Sequence, residues 1–111
     1  MSIKESPVVK EVIGTFEKLY GKRLSKIFLY GSYARGTQTD ESDIDFLILL
    51  KDKNVSPFKE IDFYAKELWK LSDKHGVEIS VKAAGEKFFD NEYSLLARFI
   101  RKEGILITDK K

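Results

Sequence analysis

Two aspartates, Asp43 and Asp45, stand two residues apart at the head of the apolar run Phe46-Leu47-Ile48-Leu49-Leu50. On an extended chain residues i and i+2 share a face, so both carboxylates point the same way. Held side by side they repel and call for a cation. Hard divalent ions such as Mg²⁺ take oxygen ligands and are commonly held by one or two carboxylates together with substrate phosphates. A phosphate-holding element lies just upstream. Gly31 and Gly36 permit backbone angles closed to other residues, and Ser32 brings a hydroxyl to a point where a short helix can start, its free N–H groups facing an anion. Either half alone is ordinary, since a Gly-Ser pair is usually a turn and an Asp-x-Asp at a strand start is usually a solvated cap. Gly31-Ser32, ten residues, then Asp43-Ile44-Asp45, with apolar strands on both sides, is a far more specific arrangement.

Those residues need a scaffold, and periodicity supplies one. Ser6-Pro7 is a helix start, with the serine hydroxyl as cap and proline where its missing N–H costs nothing. Val9, Val12, Ile13, Phe16, Leu19 and Tyr20 then recur at helical spacing up to Gly21. Lys26 to Tyr30 is a strand with apolar residues on both faces, as in the middle of a covered sheet. Tyr33-Ala34-Arg35 can form one helical turn, and Gly36 hinges the polar loop that runs to Ser42. Asp43 to Leu50 is the second strand. Ser56-Pro57 repeats the helix start, and Ile61, Tyr64, Ala65, Leu68, Leu71 and Ser72 form a stripe ending at His75-Gly76. His75 is placed to interact with that helix's dipole, and Trp69, off the stripe, reads as edge-of-core packing. Val77 to Ala83 alternates as a third strand, with Glu78, Ser80 and Lys82 on its polar face. Phe88 and Phe89 anchor a turn, and Tyr93, Leu96, Phe99 and Ile100 give a last helix closed by Gly104, whose Arg98, Arg101 and Lys102 read as a solvated face. Ile105-Leu106-Ile107 adds a short edge strand, and Asp109-Lys110-Lys111 reads as a frayed tail. The expectation is one α+β domain over residues 1–111: a mixed sheet with helices packed on one side.

The glycine-serine turn followed by Asp43-Ile44-Asp45 resembles the signature of the nucleotidyltransferase superfamily typified by polymerase β. In so short a chain it is most similar to the minimal nucleotidyltransferases (MNT), the MntA-type antitoxins paired with HEPN-domain toxins. The resemblance implies a palm-like fold and the transfer of a nucleoside monophosphate, with AMP from ATP as the expected group. Two metals roughly 4 Å apart stabilise the entering and leaving oxygens in such chemistry, so the resemblance implies two Mg²⁺ ions with Asp43 and Asp45 as ligands. A third carboxylate is then needed on the acceptor's side, and Glu78 is the candidate, because it stands on the polar face of the third strand. The family more often has Asp there. Gly31 and Ser32 would hold the β- and γ-phosphates. Arg35 can pair with a phosphate oxygen or lie on the surface.

Composition narrows the partners. The 111 residues hold 42% hydrophobic residues and no cysteine, and 20 basic against 18 acidic side chains leave +2. Disulfides and thiolate metal sites are excluded, and so small a charge does not argue for nucleic acid. No signal-type or membrane-spanning run is present, so the expectation is a cytoplasmic protein without membrane contact. The leading reading is an adenylyltransferase that modifies a hydroxyl on a HEPN-type ribonuclease toxin, in a homo- or hetero-oligomer. The alternatives are an antitoxin that neutralises by binding alone, its nucleotide site vestigial, and a small-molecule or RNA nucleotidyltransferase, disfavoured by the lack of a second domain and the near-neutral charge.

Overall fold

The computed structural model describes residues 5–39 and 42–110. The part of the expected Gly36–Ser42 loop that falls on Asp40 and Glu41 lies outside them, as does Lys111. In chain order the elements are α1 (Pro7–Tyr20), a 3-10 turn (Gly21–Arg23), β1 (Leu24–Tyr30), α2 (Ser32–Arg35), β2 (Ile44–Leu50), α3 (Pro57–His75), β3 (Ile79–Gly85), a second 3-10 turn (Glu86–Asp90), α4 (Leu95–Glu103) and β4 (Ile105–Asp109). The strands form one mixed sheet in the order β3-β2-β1-β4. β1 runs antiparallel to β2 and β4, and β2 runs parallel to β3 through the α3 crossover.

The central strand explains the continuous apolar run. Phe46 and Ile48 face α1 and α3, where they join Val9, Val12, Phe16, Tyr64 and Leu71. Leu47 and Leu49 face the other way, toward Ile100 of α4 and Phe88 and Phe89 of the second 3-10 turn. The two long helices thus cover one face, and the short α4 covers only the far part of the other. A strand buried on both faces carries no polar alternation, which is why Asp45 at its head stands out.

Several local expectations change. Neither Ser6 nor Ser56 caps its helix with its side chain, although Pro7 and Pro57 both open one; the Ser6 carbonyl takes the first helical bond from Lys10 N–H at 2.9 Å. β3 starts two residues late because Gly76 is left-handed and Val77 N–H returns to the Ser72 carbonyl at 3.2 Å. The tail is not frayed up to Lys110: Asp109 belongs to β4, and Lys110 N–H donates to the Ser25 carbonyl at 2.7 Å. In α4 only Ile100 and Ala97 are buried, whereas Tyr93 and Phe99, expected on its inner stripe, are exposed.

A polar cluster ties α3 to the end of α1, to the 3-10 turn after it and to the chain just beyond β2. Glu60, 7% exposed, accepts from Tyr20 Oη at 3.1 Å and from Arg23 Nη2 at 2.8 Å, and Arg23 also bonds Asp52 at 3.0 Å. Burial, then the Glu60 charge, pushes the Tyr20 hydroxyl well above its ordinary range, so it remains a donor. Glu60→Gln keeps the shape but exchanges charged for neutral hydrogen bonds. The expected loss is about 1 kcal/mol in urea unfolding, with an unchanged slope.

Candidate active site

At the end of β1 the chain must turn back across the sheet. Gly31 makes the turn at φ 80°, a region that favours glycine. It also has to be glycine for a second reason: a Cβ there would collide with Asp45 Oδ2. The turn's backbone therefore lies directly against the carboxylate. α2 follows as a single helical turn, with Ala34 and Arg35 N–H both donating to the Gly31 carbonyl at 3.1 Å. The expected hinge at Gly36 is a left-handed C-cap, φ 74°, donating to the Ser32 carbonyl. The N–H groups of Ser32 and Tyr33 have no intrahelical acceptor, and the Ser32 hydroxyl has no partner among the described residues. The turn thus offers donors beside a carboxylate.

Asp45 pairs across the sheet with Tyr30 and along it with Ser80. It shares the face of Leu47 and Leu49, beyond the cover that α4 provides. Asp43 is exposed and Asp45 half-buried. Burial, and then the Asp43 charge, raise the Asp45 carboxyl above its ordinary value, with Arg35 partly offsetting them. Tyr30, which the sequence reading did not single out, is pushed up to about 12 by burial and by Asp45. Its only sequence signal is its place as the last strand residue before the glycine turn.

Glu78 lies just before β3, and its carbonyl accepts Ile44 N–H at 2.9 Å. Carried one residue back, the parallel register puts it next to Asp43, which lies just before β2 rather than opening it as expected; of the three acids only Asp45 is within a strand. Among the described residues, however, no three His, Cys, Asp or Glu side chains are gathered into a metal-binding group. The Asp43–Asp45 pair is the donor set that fits a hard divalent ion, because each carboxylate's charge opposes the other's. Glu78 would have to turn toward that pair to join it.

Arg35 does not point into open solvent alone. Its Nη1 bonds Glu103 Oε2 at 3.2 Å, tying α2 to the end of α4. Exposed pairs of this kind contribute at most about 1 kcal/mol. Arg35→Ala should leave the melting temperature nearly unchanged while Asp45 titrates still higher, which carbon-detected NMR of the Asp45 carboxyl would read. His75 ends α3 as expected and faces Glu11 of α1 at 3.2 Å. Trp69 departs from expectation: it is 68% exposed rather than packed at the core's edge. Arg98 and Lys102 are exposed, but Arg101 is occupied, donating to the Phe89 carbonyl and covering the Phe89 ring.

Known proteins resemble this chain in sequence and in fold. The model of a nucleotidyltransferase domain matches residues 9–107. The candidate protein adenylyltransferase MJ0604 of Methanocaldococcus jannaschii is 37% identical over 92 residues, covering 81% of this chain and 83% of its own. A second protein of that organism and description, MJ0141, is 34% identical over 66% of this chain and 72% of its own. Among solved structures, a toxin–antitoxin crystal structure with AMP-PNP superposes with a TM-score of 0.65 at 20% identity, covering 92% of this chain and 74% of that one. A chain of the tri-AMPylated Shewanella oneidensis HEPN toxin in complex with MNT antitoxin gives 0.60 at 17%, covering 91% and 69%. These two likenesses establish the fold. With the family model spanning nearly the whole sequence and a relative above one-third identity along most of it, the chain belongs to the nucleotidyltransferase domain family and is an enzyme of that class.

Proposed function

We propose that this nucleotidyltransferase moves AMP from ATP to a hydroxyl of a partner protein, a HEPN-type ribonuclease toxin, and so acts as its antitoxin in the cytoplasm. The observation that carries the reading is the contact of Gly31 with Asp45: the turn suited to a triphosphate and the carboxylates suited to a cation share one edge. The adenylyl group and the protein acceptor are supported by the names of the M. jannaschii relatives, and the toxin by the complexes that share the fold.

In this reading the Ser32 hydroxyl and the N–H groups of the turn hold the β- and γ-phosphates, and Arg35 is the neighbouring cation. Asp43 and Asp45, joined by Glu78, would hold two Mg²⁺ ions, which when bound neutralise charge building on the phosphate oxygens. Glu78 takes the proton of the acceptor hydroxyl, whose oxygen bonds to the α-phosphorus as the bond to pyrophosphate breaks.

Intact-mass analysis of the partner, co-expressed with the wild-type chain or with the Asp43→Asn, Asp45→Asn variant, tests this. The expected result is a mass gain of AMP on the partner with the wild type alone. A partner left unmodified yet neutralised by both forms would mean that the chain acts by binding, and a gain found only on RNA or a small molecule would overturn the protein acceptor.

A further inference from the structure

β3 is an edge strand, and among the described residues no strand pairs with its outer side. The bond from Ile44 N–H to the Glu78 carbonyl and the parallel register Ile44↔Ile79, Phe46↔Val81 fix which way each residue's backbone points. Those of Glu78, Ser80 and Lys82 turn toward β2, and those of Ile79, Val81 and Ala83 turn to the free edge. The Val81 carbonyl confirms this, since it accepts from Tyr64 Oη of α3 at 2.8 Å, which leaves it one lone pair. The edge is recessed. Two adjoining hollows of about 410 Å³ run along it, sharing Ile61, Tyr64, Ser80 and Val81, walled by Trp69 at the Glu78 end and by Phe88 and Leu96 at the other. Ile61 and Trp69 are 44% and 68% exposed beside a row of outward-facing backbone groups. Edge strands with unpaired N–H and C=O groups recruit extended chains.

We propose that this edge receives the acceptor as an added antiparallel strand, an extended protein segment that carries its hydroxyl residue opposite Glu78 and an acid opposite Lys82. The inference rests on the protein-acceptor reading above. A recessed edge admits an extended segment more readily than a second folded sheet, and the groove is continuous with the candidate site, because the strand opens beside Asp43. Antiparallel pairing is the more stable per residue, and charge then sets the order of residues along the segment. Lys82 is exposed with no ion-pair partner among the described residues, and it lies four residues from Glu78 on the same face. An antiparallel strand would therefore read acid, apolar, any, apolar, hydroxyl, the two apolar positions falling on the Ile61 and Trp69 side. Residues directly opposite in such a pair have Cβ atoms about 5 Å apart, and a tyrosine there has the length to pass Glu78 toward Asp43.

Two synthetic peptides test this with the wild-type chain, Ac-Glu-Val-Thr-Val-Tyr-amide and its reverse, Ac-Tyr-Val-Thr-Val-Glu-amide, each titrated to about 1 mM, the weak end of specific binding. Trp69 is the single tryptophan of the chain, so its emission reports the groove. The first peptide should give a saturable change and slow amide exchange at Ile79, Val81 and Ala83, with the reverse peptide about tenfold weaker. Lys82→Glu should weaken the first peptide about tenfold, and a peptide with lysine in place of its glutamate should recover that loss, an exchange of one like-charge for one opposite-charge cross-strand pair. No saturable change, or binding that ignores both peptide order and Lys82→Glu, overturns the inference. Binding with the expected protection but without AMP transfer under Mg²⁺ and ATP would overturn the transferase reading and leave the docking edge in place.

Discussion

Asp45→Asn is expected to remove nucleotidyl transfer and, at neutral pH without ligands, to raise the melting temperature. The loss of activity follows from the place of Asp45 against the Gly31 turn and beside Asp43. Metal stabilisation of a phosphoryl transition state is worth several kcal/mol, and about 1.4 kcal/mol is a factor of ten. A fall of about 10³-fold in the rate of AMP transfer is therefore expected, with Asp43→Asn similar. The gain in stability has a different origin. Burial, then Asp43, raise the folded-state pKa of Asp45 above its ordinary value of 3.8. The folded chain thus binds that proton more tightly than the unfolded one. Its contribution to stability is full below the unfolded pKa and is lost as pH rises through the folded value, so at pH 7 the wild type carries an ionised carboxylate that the fold disfavours. Asparagine removes that charge. Melting curves of both forms should diverge near pH 7, with the variant higher, and converge as pH falls below 3.8. Added Mg²⁺ and ATP should reverse the order, since a ligand at a hundredfold excess over Kd stabilises the form that binds it by about 2.7 kcal/mol. A variant that is less stable at pH 7, or fully active, would contradict the assignment of Asp45.

Gly31→Ala should damage both fold and site. At φ 80° an L side chain is strained, and the added methyl would occupy the space of Asp45 Oδ2. Backbone strain of this kind costs about 1–3 kcal/mol, and the carboxylate must move as well. The expected outcome is a stability loss of about 2–3 kcal/mol by urea unfolding, with AMP transfer reduced at least tenfold even where the protein is fully folded. Asp45→Asn with Gly31→Ala separates the two causes. If the methyl acts by displacing a charged carboxylate, Asp45→Asn should stabilise the Gly31→Ala background by more than it stabilises the wild type, because the smaller desolvation demand of the amide lets it rotate away. An equal gain in the two backgrounds would show that φ alone is responsible.

Two local features of the candidate site are legible in the sequence. The same-face placement of Asp43 and Asp45 depends only on the two-residue repeat of an extended chain, and the Gly31 turn only on the conformational range of glycine. Both are local. The long helices were equally plain, because apolar residues recur in them at helical spacing and one side of each is buried. α4 was less plain: Tyr93, Phe99 and Leu95 are large and apolar yet exposed, so a hydrophobic stripe alone could not say which side meets the sheet.

Other features depend on elements distant along the chain. The approach of Gly31 to Asp45 depends on the register Tyr30↔Asp45, set between two strands that the chain joins through residues 31–43. The half-burial that raises Asp45 depends on the Gly31 turn coming to lie against it, and the bond of Arg35 to Glu103 and the recessed edge of β3 depend on where α3 and α4 come to rest. Residue type and spacing state which groups can bind a cation or a phosphate, because that chemistry belongs to single side chains and short backbone turns. Distance, desolvation and open strand edges belong to pairs of segments, and only the packed chain brings those segments together.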